Sequence, residues 1–219
     1  MTKSAAEDSP RIYVKICGMR DPNLTRLAVQ LGAQAIGVVM SPGTPRDASD
    51  AEAVAVIAAA RAENPAIDTV LVVNKMPARE AAERAFALGF DVLQLHGRYA
   101  ATDFAAARAV LPRVWRAASL THFPGLTPGE YGEERLLLDG ADPGSGARWS
   151  FEGRDPSEFG DSWLLAGGLS PVNVAAAVEQ VSPAGVDVSS GVESSPGVKD
   201  PELIARFIAE ATGVSHPHP

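Results

Sequence analysis

Short apolar runs alternate with longer amphipathic stretches along most of this chain. The short runs lie near Tyr13–Ile16, Ala35–Val39, Thr69–Val73, Val92–Leu95, Val114–Ala117, Leu136–Leu138, Trp163–Ala166 and Gly185–Val188. Each is about the length of one strand, and most are too uniformly apolar to have a wet face, which is the pattern of a parallel sheet covered on both sides. Between them, helical periodicity fits Pro22–Leu31, Ala51–Ala62, Pro77–Leu88, Ala101–Val110, Val172–Val181 and Pro201–Ala211. Strand and helix in alternation predict repeated βα units, and eight strands is the number that closes a barrel. The expected fold is therefore a single (β/α)8 TIM barrel. An open doubly wound sheet, which needs fewer strands, is the alternative.

Local signals support these elements. Asp21 before Pro22 reads as an N-cap followed by a first helical residue, and Gly32 and Gly89 stand where their helices should end. The stretch Ser119–Glu134 is rich in Gly, Pro and Thr, so the fifth helix is expected to be short or missing. Gly140–Gly160 reads as a long polar loop. No linker divides two regimes of composition, which predicts one catalytic domain over residues 11–213. Residues 1–10 read as a disordered polar leader and residues 214–219 as a disordered tail.

Composition narrows the function more than the fold. The 219 residues carry a formal net charge of −8 and no Lys/Arg run, which argues against a nucleic-acid partner. An anionic substrate must then be held by local dipoles and a few arginines, without help from the overall field. A single cysteine excludes an internal disulfide and a Cys-cluster metal site, and points to the cytoplasm. With His216 and His218 in the tail, only His96 and His122 remain inside, too few for a His-rich metal centre. No apolar stretch is long enough to cross a membrane.

The candidate chemistry lies where the apolar runs end. Cys17 closes the first run, Asp139 follows the sixth and Asp187 falls in the eighth. The carboxyl ends of barrel strands are where such folds keep their active sites. After the seventh run comes Gly167-Gly168-Leu169-Ser170-Pro171, and after the eighth comes Ser189-Ser190-Gly191-Val192-Glu193. Two glycine-rich turns on adjacent strands let backbone N–H groups approach an anion, and they predict a phosphate site.

Six blocks occur in one order: Val14-Lys15-Ile16-Cys17-Gly18, Pro45-Arg46, Gln94-Leu95-His96-Gly97, Leu137-Leu138-Asp139, Ala166-Gly167-Gly168-Leu169 and Val186-Asp187-Val188-Ser189-Ser190-Gly191-Val192-Glu193. Together they resemble the phosphoribosylanthranilate isomerases, from about Val14 to Ala211. The resemblance implies a (β/α)8 barrel that performs an Amadori rearrangement of a phosphoribosyl substrate in tryptophan biosynthesis, with no metal and no cofactor. It also implies that Cys17 is the base and Asp139 the acid, with Arg46, Gln94 and Asp187 binding substrate. Gly167, Gly168, Ser189, Ser190 and Gly191 would hold the phosphate. Arg46 suits the anthranilate carboxylate because a guanidinium fork binds it bidentately. His96 is expected to pack or orient, since the thiol already supplies a base.

Two positions qualify the likeness. After Arg46 the family's usual aromatic is replaced by Asp47, which predicts a lost stacking wall in the anthranilate pocket. The sixth loop keeps Gly144-Ser145-Gly146 but has Arg148 where a lysine is usual. Lys15 is expected to point to the opposite face of its strand from Cys17. Two other readings compete: a different phosphosugar isomerase or epimerase on the same barrel, and a non-catalytic phosphoribosyl-binding protein. The second has no need of both proton-transfer groups. Oligomeric state is not legible in the pattern.

Overall fold

In a computed structural model, which describes residues 12–139, 151 and 153–213, the eight apolar runs form eight parallel strands. They are β1 (Tyr13–Cys17), β2 (Ala35–Val39), β3 (Asp68–Val73), β4 (Val92–His96), β5 (Val114–Ser119), β6 (Arg135–Asp139), β7 (Leu164–Ala166) and β8 (Gly185–Val188). Each pairs with its neighbour in sequence, and β8 pairs with β1, so the sheet closes into a barrel. Closure leaves no exposed strand edge among the eight.

Alternation along each strand divides the apolar side chains into two sets. One set, including Val14, Ile16, Leu71, Leu93 and Leu138, packs outward under the helices. The other, including Ala35, Val70, Val92, Trp115, Leu137 and Leu164, fills the interior. Trp115 is fully buried there and meets Tyr13 edge-on, with ring centroids 6.2 Å apart. Truncating such a ring costs about 3–5 kcal/mol. Beneath it Tyr13 donates to Asp68 (2.6 Å), and Arg113 pairs with both Asp68 and Glu134. This end of the barrel is built for stability, and the opposite end is free for chemistry.

Among the described residues six α-helices surround the sheet: α1 (Pro22–Gln30), α2 (Asp50–Glu63), α3 (Ala78–Leu88), α4 (Ala101–Arg108), α5 (Val174–Val181) and α6 (Pro201–Thr212). Asp21 caps α1 by accepting from the amides of Asn23 and Leu24, and Ser49 and Glu52 form a reciprocal capping box on α2. Gly89 ends α3 in a left-handed conformation, whereas Leu31 caps α1 and Gly32 follows it. Between β5 and β6 there is no helix. The outward guanidinium of Arg116 lies 3.8 Å over the Tyr131 ring, and the intervening loop folds down upon it. A 3-10 helix, Pro156–Phe159, precedes β7.

One pair of strands was not expected from the sequence. After β8 the chain forms a small hairpin, β9 (Glu193–Ser195) with β10 (Val198–Lys199), before α6. Its turn residue Gly197 has φ +82°, and a Cβ there would lie 2.2 Å from the Pro45 carbonyl. The hairpin is thereby pressed against the loop that follows β2. The leader, the tail and the Gly144–Arg148 segment lie outside the described residues.

Candidate active site

The carboxyl ends of the strands surround a cavity of about 330 Å³. Cys17 comes to it from β1, Gln94 and His96 from β4, Asp139 from β6 and Asp187 from β8. The turns after β7 and β8 contribute Gly167, Gly168, Ser189 and Ser190, and Arg46 enters from the loop after β2. Nine of the ten residues singled out in the sequence thus border one space. Gly191 does not. A Cβ on it would lie 1.9 Å from the Leu169 carbonyl, so this glycine allows the last two loops to press together.

Glycines also shape the first loop. Gly18 has φ +76°, and a Cβ there would lie 2.8 Å from Cδ of Arg46. The arginine stem passes over that bare backbone into the cavity. Its guanidinium is held by Glu193, with Nε–Oε1 and Nη2–Oε2 both 2.7 Å. Glu193 is buried and also accepts from Lys199 Nζ (2.8 Å) and the Gly197 amide (3.1 Å). Burial alone would raise its pKa, but these donors outweigh it and hold the carboxyl at about 2. Lys199 in turn donates to the Ser189 carbonyl (2.9 Å), and Ser189 Oγ donates to the Cys17 carbonyl (3.2 Å). One chain of bonds therefore joins Arg46 to the backbone of Cys17.

The expectation for Lys15 is overturned. Residues two apart on a strand share a face, and Lys15 lies on the same inner side as Cys17. It is fully buried and donates to Asp187 Oδ1 at 2.8 Å. Burial pulls the ammonium's pKa down, yet Asp187 and Cys17 raise it more, so the lysine stays charged. For Cys17 the balance goes the other way. Burial pushes the thiol pKa up, and Lys15 is the largest influence against it.

At the far side of the cavity, His96 Nε2 stands 3.2 Å from Asp139 Oδ2. That hydrogen bond raises the imidazole's pKa above its ordinary value, against the pull of burial. Gln94 is buried, and its Oε1 has no hydrogen-bond partner among the described residues. It is an acceptor that a ligand can satisfy.

Asp47 itself stands outside the cavity lining. That carboxylate accepts from the Ser41 amide (2.8 Å) and braces the loop, away from the lining. The wall beside Arg46 consists instead of Val39, Ser41, Thr44, Val72 and Asn74, which the sequence did not single out. After β7, Asn173 ties the turn by accepting from the Ser170 amide (2.7 Å) and donating to the Gly168 carbonyl (2.9 Å). Gly167 and Gly168 both have positive φ, at +79° and +65°. Among the described residues no group of three or more His, Cys, Asp or Glu is placed to hold a metal ion. No described helix is long and apolar enough to cross a membrane.

A cavity that joins a thiol, a carboxyl, an arginine and two glycine-rich turns has relatives. The family model for N-(5'-phosphoribosyl)anthranilate isomerase matches residues 14–210. The chain belongs to the phosphoribosylanthranilate isomerase family. It is 39% identical over 208 residues to the N-(5'-phosphoribosyl)anthranilate isomerase of Halorhodospira halophila, covering 91% of this chain and 96% of that one. It is also similar to the crystal structure of TrpF from Jonesia denitrificans, at 48% identity and TM-score 0.84, over 94% of this chain and all of the other. A third relative is a phosphoribosylanthranilate isomerase solved in complex with reduced 1-(o-carboxyphenylamino)-1-deoxyribulose 5-phosphate. It is 29% identical, with TM-score 0.74 and coverage of 92% and 99%. The isomerase family thus accounts for the closed barrel and for nearly the whole described chain.

Proposed function

We infer that this protein is an isomerase that converts N-(5'-phosphoribosyl)anthranilate to 1-(2-carboxyphenylamino)-1-deoxyribulose 5-phosphate, a step of tryptophan biosynthesis. The observation that carries the reading is the placement of Cys17 and Asp139 in one cavity, on strands β1 and β6 of the ring. Family membership supports the reaction, and the geometry supports the division of labour. A biosynthetic enzyme of this kind works in the cytoplasm.

The reaction needs an acid and a base acting on different atoms of the sugar. Asp139 gives a proton to the furanose oxygen as the C1–O bond breaks, and the aniline nitrogen's lone pair forms the iminium. Cys17, as thiolate, then removes the C2 proton. The C–H electron pair becomes the C1=C2 bond, and the iminium π pair returns to nitrogen. The enolamine so formed tautomerises to the ketone. His96, whose Nε2 stands 3.2 Å from Asp139 Oδ2, orients this acid, in keeping with its expected role.

Binding follows the charges. Arg46 takes the anthranilate carboxylate, and Gln94 Oε1 accepts from a substrate N–H or hydroxyl. Asp187 faces the developing iminium. The turns at Gly167–Gly168 and Ser189–Ser190 hold the phosphate, with Gly191 setting their spacing. Nothing in this sequence of steps calls for a metal or a cofactor. Protein dialysed against chelator should consume phosphoribosylanthranilate, followed by loss of its fluorescence, and Cys17→Ala should bind a product analogue while losing most turnover. Activity restored only by a divalent metal, or unchanged kcat in Cys17→Ala, overturns the scheme.

A further inference from the structure

Lys15 has no role in those steps, yet it is an ammonium enclosed in the barrel interior. A buried charge of this kind is costly unless it is paired. Asp187 supplies one partner at 2.8 Å. Gly37, on the adjacent strand β2, indicates where the other lies. A Cβ at Gly37 would be 2.8 Å from the Cys17 sulfur and 3.0 Å from the Lys15 Nζ. Thiol and ammonium therefore both border the space that the missing side chain leaves open.

We propose that Lys15 is a positioning residue for the isomerisation: its ammonium, anchored by Asp187, is the counter-ion that allows the Cys17 thiol to become a thiolate. This rests on the reading of Cys17 as the base. The groups that face Cys17 are Lys15 on β1, Asp187 on β8, Lys199 on β10 and Arg46 after β2, with Asp139 and His96 farther round the cavity. Arg46 and Lys199 are both committed to Glu193. Asp187 is an anion and opposes a thiolate. Lys15 is thus the cation best placed to favour ionisation of the sulfur. Before proton transfer it serves two anions, the carboxylate and the thiolate. After transfer the sulfur is neutral and the Lys15–Asp187 pair remains, so the ammonium is never left alone in the interior.

Because Cys17 is the only cysteine, its ionisation can be read directly from the pH dependence of alkylation by iodoacetamide. Lys15→Gln keeps a donor to Asp187 but removes the charge. It should raise the thiol pKa by a unit or more, giving about tenfold less thiolate at a given pH. kcat should fall, KM should stay within a few-fold, and the thiol limb of the kcat/KM profile should move with the alkylation titration. Lys15→Arg, which keeps the charge, should return the thiol pKa toward that of the parent protein. An unchanged thiol titration in Lys15→Gln overturns the proposal, as does one that Lys15→Arg fails to restore. Should Lys15→Gln not fold, Gly37→Ala places a methyl 2.8 Å from the sulfur and 3.0 Å from the ammonium, which must shift to admit it, without altering any charge. A raised thiol pKa there supports the proposal, and an unchanged one overturns it. Normal turnover by Cys17→Ala would remove the base assignment, while the titrations still decide whether lysine and thiol are coupled.

Discussion

The guanidinium of Arg46 is clasped by Glu193 through two parallel bonds of 2.7 Å, one from Nε and one from Nη2. The arginine is fixed before any substrate arrives, so little side-chain entropy is lost when a carboxylate docks. Arg46→Ala should therefore act mainly on KM, lowering kcat/KM by roughly 2–4 kcal/mol. A substrate analogue without the carboxylate should lose almost nothing in the same variant. Equal losses with both would remove Arg46 from carboxylate recognition.

Glu193 should govern acid stability. Its folded pKa of about 2 lies below the ordinary 4.5, so the unfolded chain takes up this proton first. Its stabilisation is complete above pH 4.5 or so and fades as pH falls toward 2. Glu193→Gln should show a flatter loss of stability across that window, measured by urea unfolding at several pH values. Glu193→Ala should cost about 3 kcal/mol near neutrality, because it leaves Arg46 and Lys199 without their partner. Parallel acid profiles for parent and Gln variant would show that the carboxylate does not carry the effect.

Asp139→Asn preserves shape and hydrogen bonding but cannot deliver a proton. Loss of a positioned acid typically costs about 10²- to 10⁴-fold, or roughly 3–5 kcal/mol of barrier. kcat should collapse while affinity for a stable product analogue stays within a few-fold. The His96 titration, followed by NMR, should also fall toward its ordinary value once the carboxylate is gone. Near-normal turnover would end the assignment of Asp139 as acid.

Gly191 offers a test of the phosphate end. A methyl at this position meets the Leu169 carbonyl at 1.9 Å, so Gly191→Ala must separate the last two loops. Overpacking of this kind costs about 1–3 kcal/mol. Inhibition by inorganic phosphate should weaken along with the melting temperature. Gly125→Ala, where a Cβ meets nothing within 4 Å, serves as the control. If Gly191→Ala binds phosphate as tightly as the control, the spacing of the loops is not what forms the site.

The barrel was legible because its strands are buried on both sides and therefore read as unbroken apolar runs. Strand limits moved by a residue or two, as at Arg135 and Ser119, where polar residues continue the pairing. The residues around the cavity were legible because they terminate those runs. Their partners were not. Lys15 and Asp187 are 172 positions apart and meet only because the ring closes, and Arg46 meets Glu193 across 147. Lys15 could have been found from the period of two, which sets it on the same face as Cys17. The β9–β10 hairpin had a weaker signal, Ser195-Pro196-Gly197, between strands too short to show alternation.

The join between β1 and β8 has a consequence for how activity is acquired. Lys15 stands opposite Asp187 in the register of that pair, and Ser189 bonds the Cys17 carbonyl across the same seam. The first and last strands therefore build a large share of the catalytic centre between them. A nascent chain still lacking its eighth strand has no such centre, however well its earlier units have formed. Turnover is thus a built-in gauge of ring closure, and the first catalytic event marks the moment at which the two ends of the sheet have met.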